Sequence, residues 1–150
     1  MIQYISWYQD ISEEETSHHT LQHPSLDDIF DRLDALDADE YPSLTLALDE
    51  MGEHFPQLFI FGGSSGYAVS LSQGDQYGKC AFVLTTYIHP EKRALPASMY
   101  RCIGRTYPGI EIEERFFTQD VHLIRTIIAH FSATGHWKSD VPFIVEANDH

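Results

Sequence analysis

Hydrophobic and polar positions change period several times along this chain, and each change predicts an element. Residues 2–8, from Ile2 to Tyr8, are rich in aromatic and β-branched side chains and read as a strand. Residues 12–24 are mostly polar and read as a loop. Ser25 then offers a helix N-cap, with Asp27 and Asp28 in the first turn, where carboxylates suit the helix dipole. Leu26, Ile29, Phe30, Leu33 and Leu36 recur at helical spacing, which predicts a first helix over residues 25–36. On it Leu26, Phe30 and Leu33 fall on one stripe, expected to be buried. Asp27, Asp31 and Asp34 fall on a neighbouring stripe with Asp28 beside them.

Period-two patterning follows. Residues 43–48 alternate, residues 58–61 are apolar and end at Gly62-Gly63, and residues 67–71 lead to a turn at Gly74-Asp75. Residues 79–87 form the longest strand candidate. Short glycine-containing links between these runs predict an antiparallel meander. After a loop over residues 88–98, weaker strands are expected near residues 99–105 and 110–112. A second helix is capped by Thr118, buries Val121, Ile124, Ile127, Ile128 and Phe131, and stops at Gly135. A tail with Trp137, Pro142, Phe143 and Ile144 is expected to pack back on the sheet. The pattern gives an α+β fold: one domain over residues 1–150, with a central antiparallel sheet of about five or six strands and two main helices.

Composition sharpens this. With 43% hydrophobic residues, nine Phe and eight Tyr among 150 residues, the chain can close a core. No run approaches the roughly 20 apolar residues of a membrane span, and the start MIQYISWYQD lacks a signal peptide's basic end and apolar run. A cytoplasmic location is expected, with Cys80 and Cys102 as buried thiols. Charge changes the picture most. Residues 1–53 hold fourteen acids against one base, Arg32, and so carry nearly all of the formal charge of −14. Such a field repels nucleic acid and anionic membrane and attracts basic surfaces.

Candidate chemistry is sparse. The run Gly62-Gly63-Ser64-Ser65-Gly66 has the glycines of a phosphate loop, but a strand-like segment follows it and no Lys is present, so a hairpin turn is expected. His19 and His23 have the i, i+4 spacing of a helical metal pair, with His18 adjacent; Pro24 and the absence of a third ligand at fixed spacing favour a solvated loop. Carboxylate pairs such as Glu113-Glu114 are plentiful, but nothing places two in contrasting environments. No catalytic residue, cofactor or metal is expected.

The order of motifs carries a resemblance. Helix one ending in residues 33–37 (LDALD), a strand over residues 44–48, residues 57–63 (QLFIFGG), a short turn, residues 66–69 (GYAV), residues 116–118 (FFT), a late helix and residues 131–137 (FSATGHW) follow in that order, in a match over roughly residues 26–144. This arrangement resembles the immunity-protein family of bacterial polymorphic toxin systems that is often associated with deaminase toxins. The chain departs from the family pattern after Val141, where Pro142 and Phe143 stand in place of a Trp. The resemblance implies a binding protein, a monomer when free, that inhibits a cognate toxin domain by presenting an acidic surface to its basic active-site cleft. Asp27, Asp28, Asp31 and Asp34 of helix one and the Glu13, Glu14, Glu15 loop are the expected interface, with Trp7, Tyr8 and Tyr41 as aromatic anchors. Two alternatives stand beside it. A small enzyme would gather carboxylates in an acidic cleft, and a regulatory subunit of a stable complex would expose a large apolar patch.

Overall fold

A computed structural model of the chain describes residues 1–74 and 82–148. Its first strand, β1 (Tyr4–Asp10), is paired on both sides, by β2 (Thr16–Gln22) and by β3 (Ser43–Ala47). From β3 the chain runs as the expected meander through β4 (Gln57–Gly63), β5 (Gly66–Gly74) and β6 (Phe82–Tyr87). The tail returns as β9 (Phe143–Asn148) against β6. The result is a seven-stranded antiparallel sheet in the order β2-β1-β3-β4-β5-β6-β9. Two weaker strands, β7 (Tyr100–Ile103) and β8 (Ile110–Glu113), form a separate two-stranded sheet.

Register explains the core. Ile5 pairs with Leu46, Leu46 with Leu58, and Leu58 with Leu71, so one apolar row crosses four strands on one face. Each of the four is no more than 1% exposed. Helices α1 (Leu26–Asp34) and α2 (Val121–Thr134) cover that face with Ile29, Leu33, Ile124, Ile128 and Phe131. On the other face the small sheet and the segment after it build a lesser cluster of Ala68, Ile88, Phe116 and Phe117. The Gly62-Gly63 pair has a packing reason. A Cβ on Gly63 would lie 2.8 Å from the backbone of Asp37. The 37–38 segment crosses there through an Asp37–Gly63 bridge and an Ala38 N–H that donates to Gly62 O at 2.8 Å.

Five expectations are corrected. The sheet has seven strands, two of which the hydrophobic pattern concealed. Residues 16–22 are an edge strand, β2, because an edge exposed on both faces needs no apolar alternation; antiparallel pairing with β1 holds it, with His19 stacked on Trp7 (5.6 Å) and His18 tilted against Tyr8 (4.8 Å). The buried stripe of α1 is Ile29 and Leu33, continued by Leu36. Leu26, in the first turn, is 42% exposed, and Phe30 is only partly buried. Asp120 caps α2, accepting from Leu123 N at 3.1 Å, whereas Thr118 is buried and pairs with Tyr67 through its backbone. Cys102 is exposed, because β7 lies in the small outer sheet. Cys80, Asp75 of the expected turn, and residues 79–81 of the strand candidate lie outside the described residues. The αL stop at Gly135 (φ +73°) and the Ser25 cap, here a capping box with Asp28, are as expected. No helix among the described residues is long and apolar enough to cross a membrane.

Candidate functional site

The acids of the first third divide by what the fold does with them. Asp10 is buried and ties three segments together. Its Oδ2 accepts from the backbone N–H of Arg105 (3.0 Å) and Thr106 (3.3 Å), and its Oδ1 accepts from the Thr16 hydroxyl (3.2 Å). Asp28 closes the capping box of α1. Asp34 receives Arg125 of α2 through both carboxylate oxygens, at 3.1 and 3.0 Å. Asp37 accepts from Asp39 N and Tyr41 N, and Asp39 takes the guanidinium of Arg105 at 3.0 and 3.1 Å. A second group has no such work. The exposed side chains of Glu13, Glu14, Glu15, Asp27 and Asp31 make no hydrogen bond or ion pair among the described residues. Of the expected site residues on α1, Asp27 and Asp31 are therefore free for a partner, while Asp28 and Asp34 serve the helix itself.

The three expected anchors also separate. Trp7 and Tyr41 sandwich Arg32, whose guanidinium carbon lies 4.3 Å from one ring centre and 5.0 Å from the other. The Nε and one terminal nitrogen of Arg32 are buried without a hydrogen-bond partner among the described residues, and burial lowers its pKa. Trp7 and Tyr41 thus hold the one cation of the acidic third against the sheet. Tyr8 faces the opposite side of β1 and is 46% exposed. Beside it stands a residue that sequence reasoning passed over, Tyr107, which is 81% exposed. Its N–H donates to Glu13 O at 2.9 Å, and with Tyr8, Asp10 and Thr106 it lines a cavity of about 220 Å³. Structure brings Tyr107 to the Glu13–Glu15 loop from 92 to 94 positions away, through Asp10 and Thr106; local patterning carries no signal for that.

The histidines do not act as the helical pair their spacing suggested. His18 and His19 are successive residues of β2, so their rings lie on opposite faces, while His23 ends the strand and meets Gln3 Oε1 at 2.9 Å. Among the described residues no group of three or more His, Cys, Asp or Glu side chains is placed to hold a metal ion. The hairpin expected at residues 62–66 is present, with Gly63 opposite Gly66. Carboxylates do share one cavity rim: Glu111, Glu113 and Glu146 surround a space of about 280 Å³ floored by Phe61, Ala68 and Phe116. The hydroxyls of Ser70 and Thr86 that line it bond to one another at 2.9 Å, and Glu113 takes Arg115 Nε at 2.9 Å.

A different balance holds around Glu114. Its Oε2 accepts from Arg101 Nε, and its Oε1 accepts from Arg101 Nη2 (2.6 Å) and Lys92 Nζ (3.3 Å). These bonds, above all the one from Arg101, hold its pKa at about 2. Arg101 also lies over the Phe117 ring at 4.3 Å. Neither cation was singled out by its place in the sequence, since β7 and the three-ten turn Pro90–Lys92 meet only through the fold. Comparison of the chain with protein-family models, with curated proteins and with solved structures finds no match.

Proposed function

We propose that this chain is an inhibitor that binds a basic protein surface through its free carboxylates. The partner is a toxin domain that acts on nucleic acid, as the immunity-family resemblance implies. One observation carries the reading: five exposed carboxylates, on the β1–β2 loop and on α1, are left without partners among the described residues, in a region where other acids are bound into the fold. A field of unpaired acids steers a cationic cleft and competes with phosphate for it. Tyr8 and Tyr107 beside the loop replace Trp7 and Tyr41 as its aromatic anchors, because interface energy concentrates on accessible aromatic side chains. The alternative of a small enzyme draws on the Glu111, Glu113 and Glu146 rim, where the lining hydroxyls of Ser70 and Thr86 bond to one another and Glu113 holds Arg115.

Co-expression with any toxin domain encoded beside this chain tests the proposal. The native chain restores growth, and a variant with Lys at Glu13, Glu14, Glu15, Asp27 and Asp31 fails to. Association measured by stopped flow slows as ionic strength rises, with dissociation changing less. Full protection by the five-fold Lys variant, or the lack of any neighbouring toxin, overturns the reading.

A further inference from the structure

The cations around Glu114 border a cavity of about 310 Å³ that Ser65, Gly66, His89, Lys92, Arg101 and Gln119 line. We propose that this cavity binds a small oxyanion, a phosphate ester or a carboxylate. The inference is independent of the inhibitor reading and concerns another part of the fold.

The first argument is charge. Two permanent cations share one carboxylate, and Glu114 stays ionised down to about pH 2, so the cluster retains a net positive charge at neutral pH. In a chain of net charge −14 this surplus stands out. A concave wall with low-dielectric flanks focuses such a field on whatever enters.

The second argument is donor count. Arg101 carries five N–H groups; one each from Nε and Nη2 goes to Glu114, and one from Nη1 goes to Ser65 O at 3.1 Å. Two remain. Lys92 has three, and its two contacts, to Glu114 Oε1 at 3.3 Å and Phe117 O at 3.4 Å, are long. His89 Nδ1 accepts from Glu91 N at 3.1 Å, which places its ring proton on Nε2. The cations of the cavity therefore keep donors that the fold does not spend, and an oxyanion has the acceptors to take them.

The third argument is preorganisation. Glu114 grips Arg101 by two bonds while Phe117 supports the guanidinium plane, so the fork is fixed before a ligand arrives. A Cβ on Gly66 would lie 2.6 Å from Arg101 Nη1, so the glycine permits this close seating of the guanidinium on the hairpin. The hairpin does not act as a phosphate loop: its Ser65 carbonyl accepts from Arg101, and the cations come from β7 and the Pro90–Lys92 turn.

Amide-resolved NMR titration of the full chain with inorganic phosphate and with acetate, at constant ionic strength in chloride, tests the site. Saturable shifts are expected at Ser65, Gly66 and Gln119. Lys92→Gln is expected to weaken the binding at least roughly tenfold, the scale of one charge-assisted hydrogen bond, while Lys138→Gln leaves it unchanged. Preference for phosphate identifies a phosphate ester as the ligand class, and equal or better binding of acetate identifies a carboxylate. Unchanged urea midpoints confirm that Lys92→Gln folds, and His89→Ala serves as a second probe of the same wall. The proposal is overturned if neither anion gives saturable shifts at these amides, or if neither Lys92→Gln nor His89→Ala alters them.

Discussion

The acidic surface around α1 and the β1–β2 loop and the cationic cavity beside the β4–β5 hairpin are built from the same interactions with opposite remainders. In the first, one guanidinium, Arg125, neutralises one carboxylate, Asp34, while Asp27 and Asp31 stay unpaired among the described residues. In the second, one carboxylate, Glu114, holds two cations, and the excess is positive. Ion pairs at such partly exposed positions contribute little stability, so the remainder matters more than the pairs. Acids bound by backbone N–H groups, Asp10 and Asp37, belong to the architecture. Charges with no internal partner are available to something else.

The sharpest way to separate architecture from presentation is on α1 itself. Leu33 is fully buried under the sheet's apolar rows. Leu33→Ala is expected to cost about 2–5 kcal/mol through the lost transfer energy and the cavity left behind, read as a fall in the urea midpoint with m unchanged. Phe30→Ala should cost less, because Phe30 is partly buried and stacks under Arg125, whose guanidinium carbon is 5.3 Å from its ring centre. Equal losses would mean that the helix is buried on the face the sequence first suggests.

Next in size is Asp10. Asp10→Ala removes the acceptor for two backbone N–H groups and one hydroxyl, an expected loss of about 1–3 kcal/mol, whereas Asp10→Asn keeps an oxygen and should lose less. Hydrogen exchange at Arg105 and Thr106 is expected to accelerate in the Ala variant. If both variants match the native chain, Asp10 belongs with the free acids after all.

The contrast between the two regions was only half legible beforehand. Segments 43–48, 58–61 and 67–71 and the stripe of α2 follow from local apolar patterning, because each packs side chains on the same core, and the hairpin at residues 62–66 follows from its glycines. The acidic imbalance is likewise a property of composition. What the residues cannot show locally is pairing. β2 reads as a loop because both its faces meet solvent and antiparallel pairing with β1, not burial, supports it. Which acids remain free depends on Arg125 crossing from α2 to Asp34, and on Arg105 reaching Asp39 over 66 positions. The cationic cavity needs Lys92, Arg101 and Glu114 to converge from three segments. Tyr107 comes to the Glu13–Glu15 loop in the same way.

A smaller effect should mark the cationic side. The folded-state pKa of Glu114 is lowered from about 4.5 to about 2, so its contribution is complete above 4.5 and is lost as pH falls toward 2. Glu114→Gln is therefore expected to be less stable than the native chain at pH 7, by on the order of 1 kcal/mol for a partly exposed pair. The gap should close as pH approaches 2. Urea midpoints at pH 7, 4 and 2.5 check this; a gap that stays constant would mean that the loss comes from packing and not from the charge.

The smallest expected difference lies between two neighbours on α1. Asp34 and Asp31 are both exposed and differ by less than one helical turn, but only Asp34 meets a guanidinium. Asp34→Asn removes a two-oxygen clamp on Arg125, whose Nε is already buried without a partner among the described residues, and should cost up to about 1 kcal/mol. Asp31→Asn should stay within a few tenths of a kcal/mol of the native chain, since its exposed carboxylate meets no partner among the described residues. Toxin binding should rank them the other way. An unpaired carboxylate is available to a basic cleft at no internal cost, so Asp31→Asn should weaken toxin binding more than Asp34→Asn, whose carboxylate Arg125 already engages. Measuring both Asn variants for stability and for toxin binding gives two orderings. Opposite orderings mean that the free acids and the structural acids are distinct sets. The same ordering in both assays would return Asp31 to the architecture and leave the Glu13–Glu15 loop as the acidic contact.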